Sequence, residues 1–164
     1  MRKILLLLFA ATLLVACQQS RENTTGSVPQ GEALLNILNA DSHSLVVLNN
    51  DSISYYNGRG VSDLLTLLTE EPERLKDAVV ADKMVGRAAA VLMTAGGVRE
   101  VYTNLISTPA LEMLREAGIP VSFDEEVPQI LNRDRSGQCP IDALLNDAEN
   151  TDECVEILRT KFSE

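Results

Sequence analysis

The sequence predicts a single three-layer α/β domain on one mixed β-sheet, an antiparallel hairpin followed by parallel strands. Three observations predict it. Two short strand-like runs, 44–49 (SLVVLN) and 52–57 (SISYYN), flank a turn sequence. An alanine-rich stretch at 82–95 repeats its apolar residues with helical spacing. A strand–helix–strand pattern with short loops fills 98–123, and such a unit pairs its strands in parallel.

Each element has its own local reason. Leu34, Leu35 and Leu38 fall on one helical face, so a helix opens the domain at 31–40. Asn49-Asn50-Asp51 supplies residues that tolerate positive φ and predicts a hairpin. Gly58-Arg59-Gly60 breaks the chain. Ser62 is expected to cap a helix carrying Leu64, Leu65, Leu67 and Leu68, and Pro72 to end it. Met84, Ala88, Val91, Leu92 and Ala95 share a face, so 82–95 reads as a helix stopped by Gly96-Gly97. Strands are expected at 98–103 and 119–123. Between them Thr108 caps a helix with Pro109 at its first position and Gly118 at its end. A short helix at 126–131, a polar loop at 132–138, and helices near 140–147 and 151–162 complete the chain.

The amino terminus has a different character. Met1-Arg2-Lys3 precedes an apolar run from Ile4 to Val15, the layout of a secretory signal. The run is shorter than the roughly 20 residues that span a bilayer. It ends in Leu14-Val15-Ala16-Cys17, which reads as a lipoprotein cleavage site with Cys17 as the lipidated residue. The expected organisation is a signal peptide at 1–16, a lipidated Cys and flexible tether at 17–30, and the α/β domain at 31–164. Cleavage would leave 12 basic residues (14 less Arg2 and Lys3) against 24 acidic ones, a net charge of −12. That charge repels phosphate backbones and anionic lipid alike. Nucleic acid is therefore not an expected partner, and the membrane is expected to be held through the acyl groups. Gln18 is not the Asp that retains lipoproteins in the inner membrane of enterobacteria, which favours the outer membrane or its periplasmic face.

Five stretches in order resemble one family. They are Gly58-Arg59-Gly60-Val61, Val80-Ala81-Asp82-Lys83-Met84-Val85-Gly86-Arg87-Ala88-Ala89, Ile106-Ser107-Thr108-Pro109-Ala110-Leu111, Val127-Pro128 through Asn132-Arg133, and Gly137-Gln138-Cys139-Pro140. Together they look like an uncharacterised bacterial domain-of-unknown-function family within the cytidine deaminase-like fold, over roughly residues 42–160. The resemblance implies a pocket where the N-termini of two helices converge. True deaminases hold zinc there through His/Cys-x-Glu and Pro-Cys-x-x-Cys. Here the first motif falls near Ala81-Asp82-Lys83, and the second on Pro109-Ala110-Leu111-Glu112-Met113, so Ala110 and Met113 stand where thiolates would. No metal or other cofactor is expected.

Candidate site residues follow from that pocket. Asp82 either caps a helix or, with Lys83, presents a polar pair to a ligand; a cation at a helix N-terminus runs against the dipole. Thr108 either caps its helix or offers its hydroxyl to an anionic or carbonyl oxygen. Pro140 makes Cys139 an N-cap, where a thiol would ionise more easily; the alternatives are a structural thiol or a half-cystine with Cys154. Asn132, Arg133 and Arg59 are candidate anion binders or solvated loop residues. His43, the sole histidine, reads as a surface residue at a strand start. Three readings follow. The first is an envelope lipoprotein binding a small polar ligand without deamination. The second is a metal-free enzyme using Cys139 as nucleophile. The third is an envelope protein-interaction module.

Overall fold

The computed structural model describes residues 30–41 and 43–163. The expected signal peptide and the tether from Cys17 lie outside the described residues, except Gln30, which opens the first helix. The elements run α1 (Gln30–Ala40), β1 (Leu45–Asn49), β2 (Ser52–Tyr56), α2 (Ser62–Glu70), a 3-10 turn (Pro72–Arg74), β3 (Val79–Val85), α3 (Arg87–Ala95), β4 (Glu100–Ser107), α4 (Thr108–Glu116), β5 (Val121–Val127), α5 (Pro140–Ala143) and α6 (Thr151–Phe162).

One five-stranded sheet has the order β2-β1-β3-β4-β5. Strand β1 is antiparallel to both β2 and β3, while β3, β4 and β5 are parallel. The mixed sheet is therefore as the sequence predicts. Asn49 faces Ser52 across a two-residue turn, and Asn50 takes the positive φ of +52° that the turn demands. Both edge strands are largely polar and exposed, and β5 carries Asp124, Glu125 and Glu126, which discourages pairing with another chain.

Alternation along the strands sends side chains into two cores. Val46, Leu48, Val79, Ala81 and Tyr102 pack with Leu34 and Leu38 of α1 on one face. Leu45, Val47, Val80 and Val101 face the larger core, with α2, α3, α4 and α6. Helix α3 is buried along nearly its whole length, from Ala88 to Met93. Its small residues let it lie close to its neighbours.

Several expected boundaries move. The stretch 82–95 is not one helix: Asp82 to Val85 belong to β3, and α3 begins only after Gly86. Helical spacing misleads there because Met84 falls in phase with Ala88 and Val91 although it is 47% exposed. Strand β3 is a central strand carried by its run Val79-Val80-Ala81, and it forms a second parallel crossover. The later strands lie further along than expected, at β4 and β5. The helix expected at 126–131 is absent, because β5 continues to Val127 in register with Ser107, and Leu131 then bridges to Gln138. Val61, not Ser62, is the N-cap of α2. The helix near 140–147 closes after Ala143, and single turns such as Leu145 N to Asp142 O replace it.

The α1 layer rests on few side chains, and Leu38 is fully buried among them. Leu38→Ala should cost about 2–5 kcal/mol in urea unfolding. A loss well below that range would mean that α1 is not integral to the fold.

Candidate functional site

The parallel strands end on one side of the sheet, where open α/β sheets commonly leave a crevice. Here a hollow of about 210 Å³ lies beside the end of β3, below the ~300 Å³ at which drug-sized pockets begin. The start of β1, the Gly60-Val61 loop and the segment leading into α5 close around it.

Asp82 is its central polar group. Period-two alternation puts Asp82 on the face of Val80, the helix-packed face, but past the buried part of the strand. It pairs in register with Leu45 on one side and Thr103 on the other. The Met84 N–H donates to Asp82 Oδ1 at 2.9 Å. Burial pushes the Asp82 carboxyl up to about 7, outweighing the pull of the Met84 N–H, and the negative charge of Asp63 adds to the rise. Asp63 itself accepts from the Gly58 N–H, an approach that leaves no room for a side chain on Gly58.

Asp142 forms another wall and was not foreseen. It is 5% exposed and accepts from the Arg87 N–H at 3.2 Å and the Ala88 N–H at 2.9 Å. A carboxylate from α5 thus satisfies the free N–H groups of α3, whose own N-cap, Gly86, contributes no side chain. A Cβ on Gly86 would lie 2.4 Å from Asp142 Oδ2, so glycine makes the contact possible. Burial raises the Asp142 pKa against the two N–H groups and the Arg87 charge. No local pattern signals this pairing, because 54 residues separate Asp142 from Ala88.

Cys139 is half-buried on the same hollow and is the N-cap of α5, as Pro140 implied. Helix α5 has only four residues, too few for a substantial dipole. Cys139 and Cys154 are both free thiols, the latter buried with its pKa raised by that burial. Lys83 lines the hollow with an exposed side chain.

With this geometry in view, comparison with known proteins is informative. A family model described as a domain of unknown function, DUF1893, matches residues 33–162. The chain belongs to the DUF1893 family. A DUF1893 protein of Thermotoga maritima, solved by crystallography, is 28% identical, with a TM-score of 0.74 over 83% of this chain and 93% of that one. The RibD of Acinetobacter baumannii aligns over 49% of this chain and 27% of that one, at 15% identity and a TM-score of 0.37, too slight a likeness to bear on chemistry. No curated protein matches the sequence.

In this DUF1893 domain the remaining candidates lie away from the hollow. Ser107, not Thr108, is the N-cap of α4, its Oγ accepting from the Ala110 N–H at 3.4 Å. The Thr108 hydroxyl instead donates to Glu126 Oε1 at 2.7 Å. Asn132 closes its own loop, its Oδ1 accepting from the Gly137 N–H and its Nδ2 donating to Ser136 Oγ. Arg133 and Arg59 are exposed, and neither lines the hollow. His43 bonds to Asn57 and stacks on Tyr55, and it does not line the hollow around Cys139. Ala110 is buried in α4, and Met113 packs against the main core. Among the described residues no three His, Cys, Asp or Glu side chains converge as metal ligands do.

Two stability measurements follow. Asp142→Ala strands two N–H groups and should cost about 1–3 kcal/mol in urea unfolding; an unchanged midpoint would mean that water serves them equally well. Folded Asp82 keeps a proton that the unfolded chain releases near 3.8, so its contribution to stability falls as pH rises from there to about 7, then levels off. Asp82→Asn removes that slope. The variant should match the parent near pH 4 and exceed it by on the order of 2 kcal/mol at pH 8. Parallel pH profiles for the two proteins would contradict the raised carboxyl.

Proposed function

We propose that this chain is a lipid-anchored protein of the bacterial envelope whose DUF1893 domain binds a small polar ligand without deaminating it. The single observation that carries the binding reading is Asp82, a half-buried carboxyl on a small hollow with a pKa near 7. A fold loses stability by keeping a desolvated acid there, and a strongly shifted carboxyl on a hollow marks a candidate functional group. Cys139 and Lys83 border the same space. The N-terminal run and Cys17 support the anchor, and no helix among the described residues is long and apolar enough to cross a membrane. The case against deamination rests on Ala110 and Met113. A methyl group cannot ligate zinc, and a thioether is a poor substitute for a thiolate, so the residues at those positions do not fit the metal.

Two experiments test the two halves of this reading. Metabolic labelling with a palmitate analogue should mark the chain in cells and fail with Cys17→Ser. A labelled Cys17→Ser protein would remove the anchor. For binding, the full chain in non-ionic detergent is screened for thermal stabilisation by small polar metabolites. A true ligand at a hundredfold excess over Kd should add about 2.7 kcal/mol and slow alkylation of Cys139. Stabilisation that survives Asp82→Asn and leaves Cys139 alkylation unchanged would place the ligand elsewhere; a blank screen would count against binding altogether.

A further inference from the structure

The hollow beside β3 has an imbalance of charge that indicates what it would accept. Asp82 has no ion-pair partner among the described residues, and no cation perturbs it. Its Oδ1 accepts from the Met84 N–H, whereas Oδ2 accepts no hydrogen bond among those residues. The groups packed around it are mostly committed or of the wrong sign. Asp63 on α2 is a second negative charge, held by the Gly58 N–H. Asp142 on α5 is a third, held by the N–H groups of α3. Arg87 on α3 directs Nη2 to the Ala148 carbonyl at 3.2 Å. Lys83 borders the hollow as well, but its side chain is exposed and forms no ion pair with Asp82. Cys139 completes the titratable groups of the wall. The rest of the lining is largely apolar, from Val61, Met84, Ala89, Ile130 and Ile141.

We propose that this hollow selects a small organic cation, an amine or amidinium on a compact apolar body, with its N–H groups on Asp82. The inference rests on the ligand-binding reading above and narrows it to one charge class. Carboxylates withdrawn from water are normally paired, or they shift toward the neutral form. Asp82 is unpaired, and the missing partner is a donor of positive charge approaching Oδ2 from the open side. An anion would meet the carboxyl groups of Asp82 and Asp142 with the Asp63 charge behind them, and the helix N-terminus that could have received it is already filled by Asp142. The cation needs the ionised carboxyl, so its binding strengthens as pH rises through about 7 and is accompanied by proton release.

The test uses three probes of one shape, isobutylamine, isobutanol and isobutyrate, titrated into the full chain in non-ionic detergent. The Met84 amide resonance reports occupancy of the hollow. The amine should move that resonance and bind at least tenfold more tightly than either isostere. The advantage should grow between pH 6 and pH 8 and disappear in Asp82→Asn. Equal or tighter binding of the alcohol or the carboxylate in the hollow overturns the charge selectivity and leaves the ligand-binding reading standing. An amine preference that persists in Asp82→Asn overturns the role of that carboxyl. No perturbation by any probe overturns the cation, and together with a blank metabolite screen it overturns the binding reading as well.

Discussion

Strand β3 is paired on both sides, antiparallel to β1 and parallel to β4. A strand in that position must satisfy two sheets' worth of geometry and bury both faces at once. Val79, Val80 and Ala81 do so, supplying apolar surface alternately to α1 and to the larger helical layer. The burial does not continue to the end of the strand. After Ala81 come Asp82, Lys83 and Met84, half-buried or exposed, and then Val85 returns to the core. The interruption falls where the antiparallel hairpin gives way to the parallel strands. A break in side-chain coverage on a central strand leaves a depression, and the surrounding loops deepen it into a hollow.

The carboxylate of Asp142 determines what kind of hollow it is. A helix that follows a strand at the carboxyl edge of a sheet normally offers its first N–H groups to an anion. Helix α3 is placed to do so, with glycine before it and no cap of its own. The chain fills that position from α5, fixing the Cys139 segment against α3 and adding negative charge at the same stroke. Coulomb attraction to the N–H groups and to Arg87 opposes the desolvation of Asp142 without fully offsetting it. One internal carboxylate thus closes the back wall, satisfies the helix and removes the site most favourable to phosphate or carboxylate.

Much of the scaffold was legible in the sequence because its signals are local. The hairpin follows from Asn50, which adopts positive φ, and from β-branched runs that cannot easily be helical. Pro109 and Gly118 bracket α4 because ring geometry and a positive φ act within a turn or two. Strand β3 was hidden because Met84 shares a helical phase with Ala88 and Val91, and only pairing with β1 and β4 shows that it does not belong to that helix. The end of β5 was hidden for a related reason. Glu125 and Glu126 look helical, yet parallel pairing with β4 holds them extended. Asp82 and Lys83 were named from the sequence as the start of a helix, where the structure has the end of β3, and Cys139 as the N-cap that it is. Asp142 was not, since its partners lie on α3, and nothing near Pro140 distinguishes it from a solvated acid.

The chemistry of Asp82 follows from a competition that neither the strand nor the loop decides alone. In water its carboxyl would ionise freely and would attract any passing cation only weakly, because solvent screens it. In a fully closed core it would stay neutral and act as a hydrogen-bond donor. The hollow places it between these limits: burial raises the carboxyl, the Met84 N–H holds it back, the nearness of Asp63 adds to the rise, and the balance stands at about 7. At that point a modest outside contribution decides the protonation state. A cation entering against apolar walls displaces water from the carboxyl and supplies the countercharge in one step, so selectivity and proton release have the same cause. The sensitivity would vanish if Lys83 could turn inward and neutralise Asp82. Lys83 borders the same hollow, yet its side chain is exposed and makes no ion pair with Asp82, so the carboxyl is left without a countercharge.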